Sequence, residues 1–245
     1  MSGPIARVRM FAGPNGSGKS TLAREILSPE LRGIYVNPDD IEYGILKEGY
    51  FDLQVYRVEH SGDAVVDFIQ GSVFIKQAGL GAAASRLRYE AGKLYFPVGT
   101  VNSYFASVIS DFVRHALLEA GISFTFETVM SSRDKVDFLA KAQGAGCRTY
   151  LYFVSTENPI INESRVKNRV ATGGHDVPRQ KIFDRYYRSL ALLPEAIRAS
   201  NRAYIFDNSG GQGEHAWLAE ITDGSSLEVK TDLVPAWFKR AVLDA

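Results

Sequence analysis

The run Gly13-Pro14-Asn15-Gly16-Ser17-Gly18-Lys19-Ser20 has the composition and spacing needed to cradle a phosphate. A glycine, any four residues, then Gly-Lys-Ser lets backbone N–H groups turn inward around an anion. The helix that follows adds its dipole. In this pattern Lys19 reaches the outer phosphates, the Ser20 hydroxyl holds Mg²⁺, and Thr21 stands at an inner phosphate. Gly13, Asn15, Gly16, Ser17, Gly18, Lys19, Ser20 and Thr21 are therefore the candidate nucleotide-binding residues, and Ser20 is the candidate metal ligand. The motif implies nucleotide binding and leaves the reaction open.

Two acidic positions could serve an acceptor. Asp39, in Asn37-Pro38-Asp39-Asp40-Ile41, follows an expected strand and is a candidate base for a hydroxyl. Helix capping explains the same residues equally well, with Asn37 as N-cap and Pro38 at the first helical position, and the roles can coexist. Glu127 ends the apolar strand Phe124-Thr125-Phe126-Glu127-Thr128, where an acid faces the ligand or the metal's water shell. A solvated strand-end acid is the plainer alternative. Thr128 and Ser131 add hydroxyls for an acceptor.

Basic side chains cluster later. Arg165 and Arg169 share a helix face, Gly173-Gly174-His175-Asp176-Val177-Pro178 breaks that helix, and Arg185 lies on the next. Arginines on a mobile helical pair suit a transferring phosphoryl group. Lys181 and Arg188 read as a solvated face, and His175 is either a phosphate or acceptor contact or a structural turn residue. Asn208, in Asp207-Asn208-Ser209-Gly210, follows the last expected strand, where the turn either borders the base or is a plain turn. No His/Cys group has zinc-ligand spacing.

The elements that must hold these residues alternate. Expected strands are Ile5 to Ala12, Ile34 to Val36, Ile122 to Phe126, Tyr150 to Val154 and Ala203 to Phe206. Between them lie helices near Ser20 to Leu27, Phe105 to Ala116, Lys135 to Gln143, Pro159 to Ala171 and Pro178 to Ser200. This order predicts an α/β fold of the P-loop NTPase type, a mainly parallel five-stranded sheet flanked by helices. The 245 residues are expected to form one domain, with 50–102 as an ordered, aromatic-rich insertion and 159–200 as a helical lid. Within the insertion, Leu87 and Tyr89 face Leu94 and Phe96 across a hairpin. Edge strands are expected in the tail after Gly210, around Leu227 to Val229.

Composition narrows the class. Hydrophobic residues make up 45% and charged residues 23%, which excludes a disordered chain. Twenty-eight basic side chains balance 28 acidic ones, which disfavours a nucleic-acid partner. A single cysteine, no apolar leader and no run of about 18 apolar residues predict a cytoplasmic protein with no membrane partner.

Taken together, Gly13 to Thr21, Asn37 to Ile41, Phe126-Glu127-Thr128, Arg165 to Pro178 and Asp207-Asn208-Ser209 resemble the zeta toxin family of P-loop kinases. The resemblance implies an ATP- and Mg²⁺-dependent phosphotransferase acting on the 3′-hydroxyl of the sugar in UDP-N-acetylglucosamine. It implies that Asp39 is the base, that Glu127 holds the acceptor, and that Lys19 with Arg165 or Arg169 stabilises the transferring group. It also implies an antitoxin protein that obstructs the nucleotide site. A kinase of another small hydroxyl compound or nucleotide, and an ATPase switch, are the alternatives.

Overall fold

The computed structural model describes residues 5–57, 62–172, 176–211 and 214–244. In chain order the elements begin with β1 (Arg7–Ala12), α1 (Lys19–Ile26), α2 (Pro29–Arg32), β2 (Ile34–Val36), α3 (Pro38–Glu48) and β3 (Tyr50–Asp52). There follow α4 (Gly62–Gly71), α5 (Val73–Gln77), α6 (Gly81–Ala84), β4 (Arg88–Glu90), β5 (Lys93–Tyr95), α7 (Ser103–Glu119) and β6 (Phe124–Thr128). The last part holds α8 (Asp134–Gly144), β7 (Arg148–Ser155), α9 (Pro159–Ala171), α10 (Arg179–Arg198), β8 (Arg202–Asp207), β9 (Ala216–Thr222), β10 (Ser226–Val229) and α11 (Ala236–Phe238). The chain divides into two compact units, Met1–Gly33 with Thr125–Ala245, and Ile34–Phe124.

In the first unit the strands are hydrogen-bonded in the order β10-β9-β8-β7-β1-β6. β1 and β8 run parallel to β7 on either side of it. Both faces of a parallel sheet are covered, so such strands are apolar throughout instead of alternating. Val8, Met10, Phe11 and Ala12 are buried, as are Leu151, Phe153 and Val154. The register pairs Ala12 with Phe153 and Ser155 with Asp207. Three strand ends thus reach one edge together, and the segments after them, from Gly13, Thr156 and Asn208, open on the same side.

The far edge holds more than the sequence suggested. β10 is the strand expected near Leu227, but the place of β9 was not anticipated, and β9 runs antiparallel to β8 and β10. A bulge between Ile205 and Phe206 interrupts the β8–β9 register, which hides the period-two signal. The segment after β10 returns to the core through Trp237, fully buried, whose Nε1–H donates to Asp207 Oδ1 at 2.7 Å.

The second unit is built on α7. Its buried face, including Phe105, Val108, Ile109, Phe112 and Val113, packs against α3, α4 and α5. The aromatics of the 50–102 stretch supply the other half of that core: Phe68 on Phe112 at 5.4 Å, Phe74 on Tyr104 at 4.9 Å, and Phe96 on Phe105 at 5.7 Å between ring centroids. The expected hairpin is present. β4 pairs with β5, Tyr89 opposite Leu94, around a two-residue Ala91-Gly92 turn with both φ positive. β3 closes a three-stranded antiparallel sheet on the other side of β5. No helix among the described residues is long and apolar enough to cross a membrane.

Candidate nucleotide site

The loop between β1 and α1 has a backbone that only glycine supports. Gly13 has φ +142°, and a Cβ there would meet the Val154 carbonyl oxygen at 2.0 Å. Gly18, the left-handed residue before α1, has φ +97°, and a Cβ there would meet Asn208 Nδ2 at 2.3 Å. No side chain among the described residues caps the start of α1, so its first turn presents backbone N–H groups in the manner of an anion site. Lys19 folds back over the loop, its Nζ donating to the carbonyls of Gly13 and Pro14 at 2.9 Å each.

Ser20 and Glu127 meet across 107 residues: the Ser20 hydroxyl donates to Glu127 Oε2 at 2.8 Å. Glu127 is buried at the end of β6, beside β1, which is why the strand order brings it to the loop. A hydroxyl and a carboxylate oxygen are the hard donors that Mg²⁺ prefers, so this pair fits that ion. No cluster of three or more His, Cys, Asp or Glu suited to a metal occurs among the described residues. An ion bound here would therefore draw most of its remaining ligands from nucleotide phosphates and water.

Side chains from three later elements hold the loop. Asn162, fully buried on α9, donates Nδ2 to the Asn15 carbonyl at 2.6 Å, while its Oδ1 accepts from the Thr156 hydroxyl. Arg185 on α10 donates to Asn15 Oδ1 at 3.3 Å. Asn208 donates Nδ2 to the Ser17 carbonyl at 2.8 Å, and its own N–H bonds to the Ser155 carbonyl at 2.8 Å. Arg165 donates to the Gly210 carbonyl at 3.0 Å and lines a cavity of about 530 Å³ with Ile160, Ile161, Ser164, Asn168 and Ser209. Burial lowers the pKa of its guanidinium, and the Asp207 charge pulls it back up.

α9 and α10 are fastened to each other by Val166, Val177 and Ile182 and by Glu163, which binds Lys167 at 2.6 Å and Arg179 at 2.9 Å. Tyr186 donates its hydroxyl to the Thr156 carbonyl at 2.7 Å, tying α10 to the segment after β7. Burial raises the pKa of that hydroxyl.

The remaining expected residues are spread around this frame. Arg169 is exposed near the end of α9, and Thr21 is exposed on α1. The Thr128 hydroxyl accepts from the Met130 N–H at 3.0 Å, and Ser131 is half-buried. Asp39 stands exposed in the first turn of α3 in the second unit, its N–H bonded to Asn37 Oδ1 at 2.9 Å, so the capping role of Asn37 is present. His175 lies outside the described residues.

Asn162 and His215 were not singled out from the sequence. Asn162 carries no motif, and only the folded chain shows that its helix passes the loop.

No family model and no curated protein matches the chain. Solved structures do. A chain of the AvrRxo1-ORF1:-ORF2 crystal structure with ATP superposes with a TM-score of 0.54 at 15% identity, covering 93% of this chain and 61% of that one. The AvrRxo1-ORF1:AvrRxo1-ORF2 structure with sulphate ions gives 0.54, 15%, 93% and 62%. This chain thus spans about three-fifths of the length of those chains. At this identity the likeness establishes the architecture: the chain has the α/β fold, built on a mainly parallel sheet flanked by helices, found in the AvrRxo1-ORF1:-ORF2 structures.

Proposed function

We propose that the protein is an ATP-dependent phosphotransferase. It moves the γ-phosphoryl group to a hydroxyl of a small molecule, a UDP-N-acetyl sugar such as UDP-N-acetylglucosamine being the acceptor of choice. The observation that carries this reading is the Ser20–Glu127 hydrogen bond beside Lys19, at the open start of α1. The ATP bound in the AvrRxo1-ORF1:-ORF2 structure, whose fold this chain shares, supports the nucleotide. The acceptor and an antitoxin partner rest on the sequence resemblance, and a cytoplasmic location on the composition.

In this reading the loop N–H groups and the start of α1 bind the β-phosphate. Lys19 leaves the Gly13 and Pro14 carbonyls for the outer phosphates. Ser20 and Glu127 would hold Mg²⁺, which would neutralise charge on the phosphates. Arg185, already at Asn15, and Arg165, beside the 530 Å³ cavity, contribute positive charge, with the nucleobase seated in that cavity. The acceptor oxygen bonds to the γ-phosphorus as the bond to the bridging oxygen breaks. ADP leaves, and the hydroxyl proton passes to Asp39, the base assigned from its place in the sequence.

Mass spectrometry of a reaction with ATP, Mg²⁺ and a panel of nucleotide sugars tests this. One phosphoryl mass gained by UDP-N-acetylglucosamine, lost in Lys19→Ala and Asp39→Asn, is the expected result. Gain on another hydroxyl compound alone overturns the acceptor. ATP turnover that needs no acceptor and ignores Asp39→Asn overturns the kinase reading in favour of an ATPase switch.

A further inference from the structure

His215 is the residue before β9, and its side chain is only 4% exposed. Its Nδ1 stands 3.0 Å from Glu25 Oε2 on the last turn of α1. A carboxylate only accepts, so Nδ1 carries the hydrogen and the ring's orientation is set from α1. At the other end of the ring, Nε2 is buried without a hydrogen-bond partner among the described residues. It lies 2.9 Å from the point where a Gly18 Cβ would sit, and Asn208 Nδ2 lies 2.3 Å from the same point. Asn208 in turn holds the Ser17 carbonyl, and its Oδ1 is also buried without a partner among the described residues.

Two groups therefore close on the place a Gly18 side chain would take. A wall serving only to fill space would be apolar, because a buried polar atom without a partner costs about 1–3 kcal/mol. The chain instead places an imidazole there and orients it with a carboxylate 190 residues away. Gly18 itself has wide backbone freedom, and its left-handed φ of +97° decides where the N–H groups of Lys19 and Ser20 point.

We infer that His215 is a positioning residue for the phosphate-binding loop. Glu25 orients the imidazole, and the imidazole with the Asn208 amide holds Gly18 in the conformation that opens α1 toward a nucleotide. The inference rests on the reading that this loop binds ATP. It assigns to the Glu25–His215 pair a share of nucleotide affinity and none of the acceptor affinity.

The test titrates a fluorescent ATP analogue with Mg²⁺ into the full chain, with melting curves on each variant. His215→Ala and Glu25→Ala each weaken binding about five- to tenfold, and the double variant is no weaker than either single one, as for residues acting as a unit. Glu25→Gln keeps near wild-type affinity, because its amide oxygen still accepts from Nδ1. The KM for the phosphoryl acceptor stays unchanged. Where His215→Ala fails to fold, His215→Gln and the exposed Glu25→Ala carry the measurement. Binding by His215→Ala within twofold of wild type, with Lys19→Ala defective, overturns the inference and leaves the ATP reading standing. Additive losses also overturn it. Absence of any nucleotide binding by the wild type overturns the ATP reading, and the inference with it.

Discussion

Replacing Asn162 tests how the proposed phosphate loop is held. Its amide is fully buried, and its Nδ2 donates to the Asn15 carbonyl at 2.6 Å. Asn162→Ala removes that donor and leaves a void beside the loop. The Thr156 hydroxyl keeps its bond to the Asn158 carbonyl at 3.1 Å, so the loss falls mainly on Asn15. Leaving that acceptor unpaired costs about 2 kcal/mol. For a chain of this size that lowers Tm by about 4–8 °C. The loop also becomes free to leave the shape that Gly13 and Gly18 impose, so ATP affinity falls about tenfold, a difference of about 1.4 kcal/mol. Asn162→Asp is worse than Asn162→Ala, because it sets a carboxylate oxygen against the Asn15 carbonyl. Scanning calorimetry and nucleotide titration of the three proteins measure both quantities. A Tm within about 1 °C of wild type for both variants, with unchanged affinity, refutes the argument that α9 anchors the loop.

Three further outcomes follow from the same geometry. Gly13→Ala drives a methyl group into the Val154 carbonyl oxygen, at 2.0 Å in the unrelaxed structure, so β1 and β7 must part; soluble expression and melting temperature both fall, and a wild-type melt contradicts the clash. Lys167 and then Arg179, by hydrogen bonding, hold the Glu163 carboxyl below its usual 4.5. The stability this contributes is complete above pH 4.5 and is lost as pH falls through the depressed folded value, so Glu163→Gln flattens acid unfolding below pH 4.5, and an unchanged acid profile counts against the clamp. Burial raises the Cys147 pKa and reduces its thiolate fraction, so a thiol reagent at pH 7.5 labels native protein slowly and denatured protein at once; immediate native labelling contradicts that burial.

Much of this molecule was legible in local chemistry. The Gly13 to Ser20 run, the Asn37-Pro38 cap, the Asn158-Pro159 helix start and the apolar strands β1, β7 and β8 each state their conformation within a few residues, because backbone freedom, capping and burial period are local properties. β9 was not legible, since its pairing with β8 crosses a bulge and its sequence does not alternate cleanly. The aromatic stretch 50–102 announced burial but not its partner. That partner is α7, and the compact unit extends from Ile34 to Phe124.

The site divides the same way. Sequence determined that a glycine-rich loop of the phosphate-binding pattern forms at Gly13 and which side chains, Lys19 and Ser20, belong to it. Tertiary structure alone decided that Glu127 meets Ser20, that Asn162 and Arg185 hold Asn15, and that Glu25, His215 and Asn208 close behind Gly18. These contacts join residues 107 to 191 positions apart. No spacing rule reaches that far. The parallel register of β1, β7 and β8 brings their ends to one edge of the sheet, and the loops and helices after those strands can meet only there.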